Sequence, residues 1–272
     1  MSIIWVDPNT PLPEIKQTSP HGLVAAGADL STARLLEAYR KGMFPWYSPG
    51  EPVLWWSPDP RMLLMCGDLH ISHSLAKRVR QFDRPPLQPT HPAGQAGLAI
   101  TLNTAFDQVI THCAQRNPHR LGLGAARHTQ HWPAPAAPQP GGTWITPDIR
   151  QTYRAWHHLG YAHSVETWIN GQLAGGLYGV CIGRCFFGES MFSLATDTSK
   201  VALAYLVRFL MAQGIPWIDC QQETPHLASL GAQAISRDDF LSRLAQGRDD
   251  TQLHWPSGRL TADGRLIPLI QP

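Results

Sequence analysis

The chain has 272 residues, with 22 Lys and Arg against 20 Asp and Glu, so its net charge is +2. That length can bury a full core, and the near-neutral charge excludes binding to nucleic acid through a global basic field, so any such contact requires a local patch. Five cysteines without CxxC spacing argue against a disulfide framework. With no leader pattern and no apolar run near the roughly 20 residues of a membrane span, we expect a cytoplasmic protein that does not cross a membrane.

The first helix and strand are indicated by capping and breaking residues. Ser31 is a good N-cap, apolar residues recur at helical spacing after it, and Gly42 is a good stop. These signals predict a helix over Thr32–Lys41. A dense run of Trp, Pro and Gly follows, which excludes a long helix and leads into a strand near Met62–Met65.

Three tryptophans in that run have different predicted roles. We expect Trp55 and Trp56 to fill a small core. Trp46 lies between Pro45 and Tyr47 in a loop, where a ring can stack on a ligand. Trp46 is therefore a candidate binding residue.

A basic face is predicted on the next helix, which begins near Ser72. It carries Lys77, Arg78 and Arg80. A solvated surface is the usual environment of such a run, and from this feature alone we favour it. The functional interpretation is a contact with phosphate groups.

The middle of the chain alternates regular elements with Pro-rich segments. Leu98–Leu102 is predicted as a strand, followed by a helix that Asn103 or Thr104 caps. Residues 117–142 contain Pro118 and four further prolines, a composition that predicts a mobile loop. Another helix then starts at Pro147, since Pro is favoured at the first helical position.

The second half is predicted to be rich in strands. Alternating residues on both sides of the Asn170-Gly171 turn indicate a hairpin. A short apolar strand, a helix and a second short strand then form a βαβ-like unit. The predicted elements are His163–Ile169, Gln172–Ile182, Cys185–Glu189, Thr198–Gln213 and Ile215–Gln221.

The acids at the two strand ends of this unit are candidates for chemistry. Alternation predicts that Asp219 and Gln221 share one face while Cys220 takes the other. A carboxylate that accepts from the Gln amide would orient it toward an amine; the alternative is a polar pair that caps a strand. Glu189, partly desolvated, would have a raised pKa or pair with a substrate cation, the alternative being a salt bridge or a helix-terminus contact.

Other chemistries are weaker hypotheses. Cys220 could be a nucleophile, although a buried structural thiol is favoured. Cys181, Cys185 and His163 make a poor tetrahedral metal set because neighbouring strand residues face different sides. Gly188-Glu-Ser-Met-Phe is not the G-x-S-x-G elbow of a serine nucleophile, and Gly22–Gly27 lacks the ending of a P-loop, so no ATP use is predicted.

Six motifs together resemble a known family from about Gly22 to Leu244. They are FPWYSPGEPVLWWSPDPR (44–61), GTWIT (142–146), HSVETW (163–168), GGLYGV (175–180), FFGESMFS (186–193) and DCQ with HLASLGA (219–221, 226–232). In length and order they are similar to the leucyl/phenylalanyl-tRNA–protein transferases. Two rival hypotheses remain, a Cys220-centred acyltransferase or hydrolase and a non-catalytic RNA- or peptide-binding module.

The resemblance implies an α+β fold and a specific reaction. It implies a small N-terminal α/β domain (1–65), then a GNAT-like mixed-sheet domain with flanking helices (66–272). The implied enzyme moves Leu or Phe, and also Met, from aminoacyl-tRNA to the α-amine of proteins that begin with Arg or Lys, marking them for N-degron degradation. It implies a cytoplasmic monomer with no cofactor or metal.

The resemblance also implies roles for individual residues. Asp219 and Gln221 would form the relay that orients the amine and assists its proton loss, and Glu189 would help to hold the reacting groups. Trp46 and Trp144 would stack on the terminal adenosine. The implied substrate pocket contains Leu177, Phe186, Gly188, Met191, Ser193, Leu203 and Leu210, and the implied tRNA-backbone contacts are Lys77, Arg78 and Arg80.

Three features depart from the family pattern or from simple alternation. His73 and Ala76 stand where basic residues are expected on the basic helix, and Leu177 replaces a common Met, a change that roughly conserves volume. Strict alternation places Phe186 and Glu189 on opposite faces, and we expect a bulge at Gly188 to bring them together.

Overall fold

The computed structural model describes residues 3–15, 21–27, 29–83, 97–115 and 143–269. The fold is mixed α+β, as predicted. Its N-terminal elements are β1 (Ile4–Val6), β2 (Leu23–Gly27), α1 (Thr32–Arg40), β3 (Phe44–Pro45), β4 (Leu54–Trp56), β5 (Arg61–Met65), a 3₁₀ turn (Cys66–Asp68) and α2 (His73–Phe82). The later elements are β6 (Leu98–Leu102), α3 (Phe106–Ala114), α4 (Pro147–His158), β7 (Ala162–Ile169), β8 (Gln172–Ile182), β9 (Cys185–Ser193), α5 (Thr198–Ala212), β10 (Trp217–Gln221), α6 (Pro225–Ser229), β11 (Gln233–Ile235), α7 (Arg237–Gly247), β12 (Gly258–Leu260) and β13 (Leu266–Pro268).

A small sheet at the N-terminus has the strand order β1-β2-β4-β3. Trp55 and Trp56 of β4 are buried in its core, as predicted. The helix α1 follows β2, and its predicted cap is confirmed because the Ser31 side chain accepts a hydrogen bond from the Arg34 amide. Gly42, just beyond α1, has a φ of +78°, the left-handed conformation expected of a stop.

A nine-stranded sheet contains the rest of the strands in the order β11-β5-β10-β9-β8-β7-β6-β12-β13. Its neighbouring strands are antiparallel except β9 and β10, which run parallel with Asp219 beside Phe187. The crossover between these two strands is α5. The predicted βαβ unit is therefore confirmed, and the hairpin of β7 and β8 turns at Asn170 and Gly171 as expected.

Two predicted boundaries and one cap are wrong. The strand β9 continues to Ser193 and does not end at Glu189, because its second half pairs with β8. Neither Asn103 nor Thr104 caps α3, whose N-cap is Ala105. The Asn103 side chain is used elsewhere: its Oδ1 accepts from the Ser164 amide at 3.1 Å and its amide donates to a main-chain oxygen near the C-terminus. The strand β10 starts at Trp217, two residues later than predicted.

The division at residue 65 stays a prediction, but β5 belongs to the large sheet. It is hydrogen-bonded between β10 and β11. The Pro-rich segment 117–142 lies outside the described residues. The basic helix is confirmed as α2, with Ser72 as its N-cap and with Lys77 and Arg80 exposed.

The large sheet separates two apolar cores. One core lies on the face covered by α1, α3, α4 and α7, and we call it the tyrosine-side core because Tyr39, Tyr153 and Tyr178 belong to it. The other lies on the face covered by α2 and α5, and we call it the α5-side core. Strands β9 and β10 lie between the two cores and contribute side chains to both.

Candidate active site

A β-bulge fixes the position of Glu189. Along the β8–β9 pair, Tyr178 lies opposite Ser190 and Gly179 lies opposite Gly188, so Glu189 is the extra residue. A side chain at Gly179 would meet the Phe187 carbonyl oxygen at 2.4 Å, so only glycine fits opposite this bulge. Glu189 shares the face of Phe187, two residues before it, and its carboxylate lies in the tyrosine-side core, where the residue is 2% exposed.

Three donors from three separate elements surround the Glu189 carboxylate. The Tyr39 hydroxyl donates to Oε1 at 2.5 Å, the Gln221 amide donates to Oε1 at 3.0 Å, and the Tyr153 hydroxyl donates to Oε2 at 3.4 Å. The two tyrosine hydroxyls lie 2.6 Å apart. Burial raises the pKa of Glu189 to about 7, although these hydrogen bonds oppose the rise. Burial also raises the pKa of Tyr39 and of Tyr153.

Asp219 forms a buried ion pair with Arg61 of β5. Arg61 donates from Nε to Oδ1 at 2.8 Å and from Nη2 to Oδ2 at 2.6 Å, and neither residue is exposed. The guanidinium carbon lies 4.9 Å from the ring centre of Phe44 and 4.3 Å from that of Phe240, and Nη1 donates to the Gly42 carbonyl. The aspartate charge is thus compensated within the protein.

Gln221 is positioned through its backbone. The β5–β10 register shifts between Asp219 and Gln221, and Gln221 has a φ of +64°, which is uncommon for a residue other than glycine. Its backbone N–H donates to Asp219 Oδ1 at 2.8 Å. The prediction that Asp219 orients the Gln221 side-chain amide is therefore wrong: Asp219 binds the backbone, and the amide binds Glu189.

The predicted facing of β10 is confirmed. Asp219 and Gln221 contact groups of the tyrosine-side core, whereas Cys220 is buried in the α5-side core. Burial raises the pKa of the Cys220 thiol, which favours the unreactive protonated form. Cys220 is therefore a structural thiol on the opposite face from the polar cluster.

The predicted apolar pocket residues lie together in the α5-side core: Leu177, Phe186, Met191, Leu203 and Leu210. Phe186 stacks there against Trp255 with ring centres 6.1 Å apart. The bulge beside Gly188 exists as expected, but it does not bring Phe186 and Glu189 onto one face, because Glu189 contacts the tyrosines of the other core.

Ser193 and Gly188 have local backbone roles. The Ser193 hydroxyl donates to the Ser199 hydroxyl at 2.8 Å and accepts from the Ser199 amide at 3.1 Å, which ties the end of β9 to the first turn of α5. Gly188 lies opposite Gly179 next to the bulge.

Both candidate stacking tryptophans are half-buried against the tyrosine-side core. The Trp46 ring lies 5.7 Å from the Trp56 ring, and Trp56 donates its indole N–H to the Trp46 carbonyl at 2.7 Å. Trp144 precedes α4, and its carbonyl accepts from the Thr146 amide. The tryptophans are thus on the same side of the large sheet as Glu189.

Sequence reasoning missed three residues of the polar cluster. Neither Tyr39 nor Tyr153 is among the predicted site residues, and Arg61 enters the prediction only as the last residue of the motif 44–61. A charged residue at the end of a Trp- and Pro-rich core segment was the available signal for Arg61, because an arginine there needs a partner.

Neither a metal centre nor a membrane span is found among the described residues. In this part of the chain no group of three or more His, Cys, Asp or Glu side chains is arranged to hold a metal ion. The helices of the described segments are also too short or too polar to cross a bilayer.

Comparison with known proteins identifies relatives over nearly the whole chain. Residues 130–245 match the family model of the leucyl/phenylalanyl-tRNA protein transferase, and residues 28–59 match that of its N-terminal domain. A leucyl/phenylalanyl-tRNA–protein transferase of Bordetella bronchiseptica is 49% identical over 271 residues, which cover 99% of this chain and 97% of the relative. Proteins of the same name from Bordetella petrii (50% over 272 residues, 98% and 97% covered) and Laribacter hongkongensis (47% over 242 residues, 88% and 89% covered) are also similar.

The buried acid and amide cluster and these matches define the class of the protein, which is an aminoacyltransferase. More specifically, the chain belongs to the leucyl/phenylalanyl-tRNA–protein transferase family, and the resemblance noted in its motifs is confirmed.

Proposed function

We propose that this enzyme transfers Leu or Phe, and also Met, from aminoacyl-tRNA to the α-amine of proteins with an N-terminal Arg or Lys. The observation that carries the proposal is the contact between the Gln221 amide and the Glu189 carboxylate, beside the Asp219–Arg61 pair. The relatives described above are transferases whose names contain both partners, a leucyl- or phenylalanyl-tRNA and a protein. We further propose that the products enter the N-degron pathway and that the enzyme is a cytoplasmic monomer.

The reaction needs orientation and one proton transfer. The α-amine nitrogen attacks the ester carbonyl carbon, so a C–N bond forms and the bond to the ribose oxygen breaks. The amine loses a proton, and the ribose oxygen gains one as it leaves. Because an aminoacyl ester is already activated, no further energy source is required by this chemistry.

Glu189 is the group best suited to move that proton. Its pKa of about 7 lies close to that of a free α-amine, which is about 8, so proton transfer in either direction costs little free energy. The Asp219 oxygens accept hydrogen bonds from Arg61 and from the backbone N–H of Gln221, so we assign Asp219 to positioning the Gln221 backbone. The Gln221 side-chain oxygen then accepts from the amine and aligns its lone pair.

The residues proposed for the two ends of the aminoacyl-tRNA lie on opposite faces of the large sheet. The α5-side core contains Leu177, Phe186 and Met191, which suit an apolar aminoacyl side chain. Trp46 and Trp144 suit the terminal adenosine by stacking. Residues Gly188, Ser193, Leu203 and Leu210 complete the proposed substrate site, with Gly188 and Ser193 shaping the backbone of β9.

Backbone phosphates are proposed to meet α2. Lys77 and Arg80 are exposed on it, while Arg78 is half-buried and donates to Gln81 at 2.8 Å. Because the chain's net charge is only +2, this local face would supply the salt-dependent part of tRNA binding. For the large sheet we propose a GNAT-like arrangement, supported by its single parallel pair β9–β10 and the bulge at Glu189.

The test is transfer of labelled Leu from charged tRNA to a peptide that begins with Arg, beside the same peptide beginning with Ala. We expect product with the Arg peptide alone and without ATP. Asp219→Ala should abolish transfer. If the purified protein binds charged tRNA but transfers to neither peptide, the enzyme hypothesis is wrong and the binding-module alternative is favoured.

A further inference from the structure

Arg61 is a buried charged residue to which the proposed reaction assigns no role. It is fully buried, lies in β5 and is 158 residues from its partner Asp219 in the sequence. Removing two charges from water is costly, and a buried ion pair rarely stabilises a fold more than well-packed apolar side chains would. Its presence beside the site therefore calls for an explanation other than stability.

A continuous series of hydrogen bonds links Arg61 to the proposed proton carrier. Arg61 donates twice to Asp219, at 2.8 and 2.6 Å, and Asp219 Oδ1 also accepts from the Gln221 backbone at 2.8 Å. The Gln221 side-chain amide then donates to Glu189 at 3.0 Å. Every residue in this series is at most 8% exposed, so water does not screen its contacts.

The backbone of Gln221 is the step that needs this support. A φ of +64° is unfavourable for a side chain larger than glycine, and it persists only where the surroundings determine it. The carboxylate of Asp219 supplies that constraint through the Gln221 N–H. The carboxylate itself can turn unless both of its oxygens are fixed, and the planar fork of an arginine fixes both.

We propose that Arg61 is a positioning residue for aminoacyl transfer. It immobilises the Asp219 carboxylate, which holds the Gln221 backbone in its left-handed conformation and thereby aims the Gln221 amide at Glu189. The inference rests on the proposed function, because it assumes that Gln221 and Glu189 act on the reacting amine.

The variant that tests this role is Arg61→Lys, which keeps the charge and loses the fork. We expect kcat to fall about 100-fold, because small displacements of an orienting group have effects of that size. KM for charged tRNA should stay within about twofold, since Arg61 is not one of the residues proposed to contact the tRNA. A matched control is Arg34→Lys in α1, because this buried arginine binds Glu37 and the Pro8 carbonyl oxygen but not Asp219.

A second measurement reads the orientation of Gln221 without activity. In protein labelled with ¹⁵N at glutamine, the side-chain amide signal of Gln221 can be assigned from its absence in Gln221→Met. We expect Arg61→Lys to shift this signal and Arg34→Lys to leave it in place. A folded Arg61→Lys enzyme with native kcat, or with an unmoved Gln221 signal, overturns the proposal.

If Arg61→Lys fails to fold, the double variant Arg61→Met with Asp219→Asn replaces it, because it removes both buried charges together. We expect this variant to fold, bind charged tRNA and lose transfer; native kcat in it overturns the positioning role. Failure of the wild-type enzyme to transfer Leu is distinct. It contradicts the proposed function, and the Gln221 amide signal alone then decides the orienting role of Arg61.

Discussion

Two buried glutamates in the large sheet, Glu166 of β7 and Glu189 of β9, differ in what surrounds them. Glu166 is fully buried and accepts from the hydroxyls of Thr101 and Ser164 at 2.5 Å and of Thr104 at 3.0 Å. These donors lie on the same strand, on the adjacent strand β6 or in the turn that follows it. Glu189 receives its donors from α1, α4 and β10.

The comparison sets a glutamate held by nearby hydroxyl groups against the glutamate to which we assign the proposed proton transfer. Side-chain hydroxyl groups fix Glu166 beside the start of α3, where the backbone amides of Thr104 and Ala105 also face it at 3.4 Å. Burial raises the pKa of both glutamates. Of the two, Glu189 is the one that the side chain of Gln221 contacts at a strand end, which is why we place the proposed chemistry there.

The largest expected effect is on activity at Glu189. Glu189→Gln keeps the shape of the side chain but cannot move a proton, so we expect kcat to fall at least about 100-fold. The free energy of unfolding should change by less than about 1 kcal/mol at pH 5, where the Glu189 carboxyl group of the wild type is also neutral. Steady-state transfer assays and urea unfolding measure the two quantities. Full activity in this variant would show that Glu189 moves no proton.

The opposite pattern is expected at Glu166. Glu166→Ala leaves three buried hydroxyls without their acceptor, and each such group costs about 1–3 kcal/mol when nothing replaces its partner. Urea unfolding should report that loss, while kcat of the folded fraction stays within about twofold. If Glu166→Ala instead folds normally and loses kcat, the distinction between the two glutamates is incorrect.

A smaller effect is expected in the pH dependence of stability. The folded pKa of Glu189 is about 7, above the ordinary value of 4.5, so the folded state binds more protons than the unfolded state between these values. This contribution to stability is fully present below pH 4.5 and is lost as the pH rises through 7. Unfolding free energies of wild type and Glu189→Gln should agree near pH 5, where both side chains are neutral, and separate by pH 8, where the variant should be the more stable. Parallel curves would contradict the raised pKa.

The smallest effect is expected at Cys220, which belongs to neither glutamate cluster. Cys220→Ala removes a buried thiol from the α5-side core, so a stability loss of about 1 kcal/mol and an unchanged kcat are expected. The same transfer assay used for Glu189 supplies the comparison. Loss of transfer in a folded Cys220→Ala enzyme would favour the thiol-centred alternative.

Local signals in the sequence predicted most of the elements. Ser72 and Thr146 cap their helices as expected, since each side chain accepts from the amide three residues later. Alternation predicted that Cys220 faces away from Asp219 and Gln221, and the strands around the Asn170 turn matched closely. Each of these features depends on residues that are close together in the sequence.

Features that depend on distant partners could not be predicted from spacing. Nothing in the sequence near Arg61 indicates that its strand lies between β10 and β11, so the ion pair with Asp219 was missed. Alternation also assumes an ordinary backbone, and the left-handed Gln221 departs from it. The hydroxyls of Tyr39 and Tyr153 come from two different helices and meet at Glu189, which helical spacing alone does not predict.

The position of β5 has a consequence for how the chain folds during synthesis. This strand is made early, but both of its sheet neighbours, β10 and β11, are made more than 150 residues later. Closing such a long loop costs entropy before any contact offsets it, which slows folding. We therefore expect the Arg61–Asp219 ion pair to form on the ribosome only after the segment that contains Asp219 has emerged, when most strands of the large sheet have already been made.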